Sequence, residues 1–257
     1  MEIRNEKMSF LTSDKPILTV MVQADNPERI ETLMDRSLTD GAEAFGMQFC
    51  RMKGEYRNQD TYRRLFSYAK EKPVYVTNYR GANNVGKTDE QLAEELLELA
   101  DCGATLCDVV GDFFDKQPDE LAVEEAAVRK QMDLIEALHK RGAEVLMSSH
   151  VLKYTPAERV LEMALEQQRR GADICKIVTG ADTMEQQLEN LKIVHMLKEN
   201  LKAKFLFLSG GESRVLRRIG GELGCAMYLC VEEYDEFALP LQPLLCHVRA
   251  IRDHMEA

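Results

Sequence analysis

Short runs of apolar residues alternate along the chain with longer stretches in which apolar positions recur every three or four residues. A brief apolar run bounded by turn residues reads as a buried strand, and the three-to-four spacing reads as a helix that buries one face. Strands are predicted at 16–22, 44–50, 73–78, 104–110, 144–149, 173–178, 204–208 and 225–231. Helices are predicted at 27–41, 59–72, 88–102, 123–142, 156–171, 183–200, 214–224 and 241–255. Gly41 supplies a stop for the first helix, and Pro156 opens the fifth, where the missing N–H is tolerated.

Eight strand–helix pairs in strict alternation demand parallel strands joined by right-handed crossovers. At 257 residues, eight such units favour a closed (β/α)8 TIM barrel of the α/β class over an open sheet. No GxGxxG or GxxxxGK[ST] follows the first strand, which removes support for a nucleotide-binding open sheet. No linker or low-complexity tract divides the chain, so a single domain spanning 1–257 is expected.

Composition narrows the partners. The net charge of −11 and the lack of a dense Lys/Arg run argue against nucleic acid, which requires a basic face. No apolar run reaches the roughly 20 residues of a membrane span, and the N-terminus has no apolar core of a leader. Seven cysteines, an odd number without a CxxC pair, read as free thiols in a reducing cytoplasm. The apolar helix faces are compatible with a homodimer, although no interface is identifiable. No HxH, HExxH or clustered carboxylate spacing points to a metal, and no cofactor is implied.

In a barrel of this kind the reactive residues gather at the C-terminal ends of the strands. Lys176 stands out there, flanked by apolar residues within the sixth strand. An ammonium buried at such a position must be paired or have its pKa lowered, and a desolvated amine is a nucleophile toward carbonyls. The alternative is a structural ion pair, for instance with Asp108. His150, at the end of the adjacent fifth strand, titrates in the range of a proton shuttle, or is a plain hydrogen-bonding residue. The glycine-rich segment 209–222 precedes a predicted helix and suits an anion. Arg218 within it either clamps a carboxylate or, with Arg214 and Arg217, coats a solvated face.

These residues resemble type I 3-dehydroquinate dehydratase, the Schiff-base enzyme of the shikimate pathway. The likeness covers nearly the whole chain in strand order. GADICKI at 171–177 is similar to the motif around that family's imine-forming lysine, which implies this role for Lys176. MSSH at 147–150 resembles the strand ending in its catalytic histidine, which implies His150. RIGGELGCA, led by Arg218, resembles the segment that holds the substrate carboxylate. LPLQ, ending in Gln242, resembles the closing loop, and VTNYR, ending in Arg80, the strand with a further substrate-binding arginine. The second strand departs from the family pattern: a Glu-x-Arg pair that reads ring hydroxyls is matched by Gly46 and Gln48. A glutamate that supports the histidine is matched by Asn84, and a closing-loop serine by Ala238.

The resemblance implies a lyase that removes water from 3-dehydroquinate, a small anionic keto acid, through an imine on Lys176 with His150 as general acid and base. Arg218, Arg80, Gln242 and Gln48 are then the expected substrate contacts. The departures leave two alternatives open: a Schiff-base lyase or aldolase-type enzyme for another keto acid, and a non-catalytic descendant that binds a metabolite.

Overall fold

The computed structural model describes residues 9–238 and 240–255. The start of the N-terminal stretch considered above, and Leu239 of the closing loop, lie outside the described residues. Eight strands alternate with eight helices: β1 (Ile17–Val22), α1 (Pro27–Thr39), β2 (Ala44–Gln48), α2 (Gln59–Tyr68), β3 (Val74–Thr77), α3 (Asp89–Asp101), β4 (Leu106–Val110), α4 (Glu125–Lys140), β5 (Glu144–His150), α5 (Ala157–Arg169), β6 (Ile174–Gly180), α6 (Met184–Asn200), β7 (Lys204–Gly210), α7 (Leu216–Ile219), β8 (Met227–Cys230) and α8 (Leu245–Met255).

All eight strands belong to one sheet in the order β7-β6-β5-β4-β3-β2-β1-β8, and every pairing is parallel. The sheet is a barrel with a seam between β7 and β8. There the Ala226 N–H donates to the Phe205 carbonyl at 2.8 Å, just before β8 begins. The strands are buried on both faces, as a sheet covered by helices requires. Phe10 is fully buried, and its N–H donates to the Glu144 carboxylate at 3.0 Å at the start of β5.

Local chemistry sets the helix ends. Asn26, Asn58 and Thr183 accept hydrogen bonds from the first turns of α1, α2 and α6, and Thr88 with Gln91 forms a capping box on α3. Gly41, with φ of 92°, follows α1 in a conformation that side chains resist. The predicted helix 214–224 differs from the structure: α7 is a single turn. Gly220 and Gly221 end it, because a Cβ at Gly221 would lie 2.4 Å from the Tyr228 ring. The chain therefore drops onto β8 instead of extending the helix.

Candidate active site

A cavity of about 270 Å³ opens at the C-terminal ends of the strands. Lys176 from β6 lies at its floor, 4% exposed, and the Ser148↔Lys176 register sets it beside β5. Its Nζ donates to Tyr79 Oη at 2.8 Å, to Tyr75 Oη at 3.1 Å and to Asp108 Oδ2 at 3.2 Å. Both phenols in turn donate to the same Asp108 oxygen, Tyr79 at 2.5 Å, and Ser148 Oγ donates to the other carboxylate oxygen at 2.5 Å. The ion pair with Asp108 weighed from sequence is therefore present, within a wider cage.

Burial alone would raise the Asp108 pKa. The Lys176 charge, then that of His150, and the hydrogen bonds from Ser148 and Tyr75 outweigh burial and hold the carboxyl below its usual range. Burial and the Asp108 charge push both tyrosines well above their ordinary pKa, so they remain phenols. Removing one member of such a pair strands the other charge in a low-dielectric interior, which typically costs about 3–5 kcal/mol.

His150 ends β5, and its ring meets that of Tyr79 edge-on, with centroids 5.1 Å apart. One oxygen of Glu120 accepts from both the His150 backbone N–H at 2.7 Å and ring Nδ1 at 2.9 Å. This pairing with a carboxylate makes Nδ1 the donor, so that Nε2 is the basic nitrogen of the neutral ring. Glu120 comes from the loop between β4 and α4 and takes a positive φ of 49°. The loop is tied down firmly. Ser149 Oγ donates to the Glu120 carbonyl at 2.7 Å, and the buried Arg170 donates to the carbonyls of Ala122 at 2.7 Å and Gly111 at 3.1 Å. Gly111 is required at this crossing, because a Cβ there would lie 2.5 Å from the Glu120 carbonyl oxygen.

The arginine that reaches the cavity is Arg217; Arg218, the candidate from sequence, is exposed and does not line it. Arg217 is 6% exposed, its Nε donates to the Ser209 carbonyl at 2.8 Å, and no carboxylate pairs with it among the described residues. Burial, then the nearby Arg214 charge, push its pKa down to about 10. A buried guanidinium in this state is a strong attractor for an anion.

Arg80 lines a neighbouring cavity of about 540 Å³ that shares Tyr79, His150 and Leu152 with the first. It is held by Asp89 and Asp112, each at 2.6 Å. Alternation along β3 turns Tyr75 and Thr77 into the first cavity, and Tyr79, in the loop just beyond the strand, lines it as well, whereas Arg80 reaches only the neighbouring one. Gln48 and Gln242 line the first cavity as expected, and Gln242 Oε1 accepts from Gln23 Nε2 at 3.4 Å.

The departures have physical counterparts. A Cβ on Gly46 would lie 2.2 Å from Met21 Sδ and 3.2 Å from the Tyr75 ring, so these side chains fill the space beside it. Asn84 is buried away from His150. It donates to Asn78 Oδ1 and to the Tyr79 carbonyl, each at 2.8 Å, and accepts from Arg57. Ala238 is buried under a loop braced by Asp235 and does not face the cavity.

Comparison with known proteins gives consistent matches. A model of the type I 3-dehydroquinase family matches residues 18–228. A 3-dehydroquinate dehydratase of Alkaliphilus oremlandii (strain OhILAs) is 33% identical over 92 residues, 35% of this chain and 36% of that protein. The enzyme of the same name from Listeria monocytogenes serotype 4a (strain HCC23) is 32% identical over 110 residues, 42% of each chain. The chain thus spans well under half the length of these curated relatives. A crystal structure of 3-dehydroquinate dehydratase from Geobacillus kaustophilus HTA426 superposes with a TM-score of 0.79 at 15% identity, covering 97% of this chain and 98% of that one. The type I enzyme of Clostridium difficile, with covalently modified comenic acid, superposes at 0.78 with 16% identity, covering 95% and 94%. At these identities the structural likeness speaks for the fold.

Proposed function

The chain belongs to the type I 3-dehydroquinase family, and from that premise we propose that it removes water from 3-dehydroquinate through an imine on Lys176. The observation that carries the reading is the juxtaposition of three groups on one cavity: a caged lysine amine, a carboxylate-oriented histidine and a buried arginine without a counter-ion.

In this reading Arg217 and Gln242 take the substrate carboxylate, which orients the ring ketone toward Nζ. The amine condenses with the ketone and releases water, leaving an iminium that withdraws electrons from the neighbouring carbon. Nε2 of His150 takes the proton from that carbon to give an enamine. The imidazolium then protonates the β-hydroxyl, which leaves as water. Hydrolysis of the conjugated iminium releases the enone and restores the amine. Glu120 fixes the histidine tautomer and balances the imidazolium charge. Gln48, Gln23 and the Thr77 hydroxyl, which is buried without a hydrogen-bond partner, supply neutral contacts to the ring. All seven cysteines are free thiols, which suits the reducing cytoplasm where we place the reaction.

The wall formed by Gly46, Met21 and Gln48 favours a second reading, in which the same imine chemistry acts on a keto acid with fewer hydroxyls. The deciding experiment is turnover of 3-dehydroquinate, followed by ultraviolet absorption of the enone, with Lys176→Ala as control. Wild-type turnover lost in the variant supports the proposal. A folded wild type that leaves 3-dehydroquinate unchanged but converts another keto acid selects the second reading.

A further inference from the structure

The cage around Lys176 gives the amine proton three acceptors, which differ in distance and in their access to the cavity. An ammonium has three N–H bonds, and here each has an acceptor: Tyr79, Tyr75 and Asp108. The resting lysine is thus fully solvated by protein as a cation, and it must lose a proton before it can attack a carbonyl. The base in the cage is Asp108, which is 1% exposed and does not line the cavity. Tyr79 does line the cavity, is only half-buried, and joins Nζ at 2.8 Å to Asp108 Oδ2 at 2.5 Å. Tyr75 also lines the cavity and makes the same two contacts, but its bond to Nζ is longer at 3.1 Å and it is fully buried.

We propose that Tyr79 is a catalytic residue of the imine cycle, a relay that carries one proton from Lys176 to Asp108 before attack and returns it afterwards. This rests on the imine reading above, but not on the identity of the keto acid. On the outward leg the Nζ proton passes to Tyr79 Oη while the Tyr79 proton passes to Asp108. The products are a neutral amine, a phenol and a carboxylic acid, and no phenolate forms. Burial and the Asp108 charge keep the free phenolate inaccessible, consistent with coupled transfer.

The amine then adds to the carbonyl carbon, and a proton shifts from nitrogen to oxygen to give the carbinolamine. On the return leg Tyr79 donates its proton to the carbinolamine hydroxyl and regains one from Asp108. The C–O bond breaks, water leaves, and the positive iminium stands beside the restored Asp108 carboxylate. One proton goes out and one comes back. Asp108 touches Nζ at 3.2 Å but does not line the cavity, so the less buried phenol of Tyr79 is the better-placed donor to the carbinolamine hydroxyl.

The test is timed borohydride quenching with two carbonyl probes, 3-dehydroquinate and pyruvate, read as the reduced adduct on the Lys176 peptide. Tyr79→Phe should slow adduct formation on the order of 10²-fold, the usual scale of a lost general acid–base. Binding of quinate, which has the carboxylate but no ketone, should be unchanged. Tyr75→Phe should slow the reaction far less. Equal rates in wild type and Tyr79→Phe, or equal slowing in both variants, would overturn the relay. The unmutated protein provides a second measurement that does not depend on a variant folding. Two protons move together, so the rate should fall as a quadratic function of solvent deuterium fraction; a linear fall overturns the coupled transfer. Should wild type trap pyruvate but not 3-dehydroquinate, the substrate assignment fails and the relay is judged on pyruvate. Should it trap neither, both proposals fall.

Discussion

Glu120→Gln isolates what one negative charge contributes to the chemistry of His150. Glutamine keeps the volume and a carbonyl oxygen that accepts from the His150 backbone N–H and from Nδ1, the contacts now 2.7 and 2.9 Å long. Only the charge is removed. Charge-assisted hydrogen bonds are roughly twice as strong as neutral ones, about 1.5–3 kcal/mol against about 1 kcal/mol. The Glu120 side chain is 30% exposed, so solvent screens part of this difference. A loss of at most about 0.5–2 kcal/mol in stabilising the imidazolium corresponds to a roughly 2- to 30-fold slower proton abstraction.

In the proposed cycle, imine formation precedes that step and does not use His150. Borohydride quenching should therefore trap the Lys176 adduct at its normal rate, but at the mass of intact substrate rather than of dehydrated product. Deuterium at the abstracted position should also slow turnover more than in wild type. If Glu120→Gln turned over like wild type, the carboxylate would be a fastener for the loop and nothing more. If trapping itself slowed in parallel with turnover, the effect would lie in the cage around Lys176 and the reasoning would be wrong.

Replacing Arg217 by methionine should raise KM about 10- to 100-fold, the scale of a lost charge-assisted contact, whereas Arg218→Ala should leave steady-state kinetics unchanged. Gly111→Ala drives a Cβ to 2.5 Å from the Glu120 carbonyl; urea titration should show a loss of about 1–3 kcal/mol, with kcat reduced because Glu120 shifts. Asp108 is held below the ordinary carboxylate range, so its unfolded form binds the proton more readily. Its stabilisation is complete above an unfolded pKa of about 3.9 and is lost as pH falls through the lower folded value. Asp108→Asn should flatten the acid limb of stability measured by chemical denaturation, and at neutral pH should cost about 3–5 kcal/mol by stranding the lysine charge. Gly46→Ala should destabilise the wild type by about 1–3 kcal/mol, and Met21→Ala should remove most of that penalty; additive effects would show that the two side chains do not compete for the same space.

The barrel was legible because strand and helix periods differ, and because each strand, buried on both faces, had to be apolar. The ends were less so. The segment after β7 carries a helical apolar spacing, yet Gly220 and Gly221 let it fall onto Tyr228 and Pro16, a contact between distant parts of the chain. Lys176 and His150 were legible for a related reason: a cation inside an apolar run and a histidine at a strand end are conspicuous against the alternation. Tyr79 carried no such signal, because it and Arg80 lie in the loop beyond β3, where the alternation that turns Tyr75 inward has ended. Arg217 was harder, since one residue around a single helical turn separates a buried guanidinium from an exposed one. Glu120 had no local signal at all, because its loop is set over β5 by Gly111 and Arg170 from distant positions.

These particulars change what the departures at Gly46, Gln48 and Asn84 mean. Asn84 does not leave His150 without a carboxylate, because Glu120 reaches the ring from a different loop. The ring is oriented by that carboxylate, as the proposed proton transfer requires. Gly46 and Gln48 are different, since nothing charged replaces a Glu-x-Arg pair on that wall. Met21 and the Tyr75 ring occupy the space, and the remaining polar groups there are neutral amides and a threonine hydroxyl. In the proposed reaction, selection between substrates would therefore come from the two charged anchors, Arg217 for the carboxylate and Lys176 for the carbonyl. Neutral hydrogen bonds discriminate by about 1 kcal/mol each, so ring hydroxyls would tune affinity without deciding whether a keto acid is accepted.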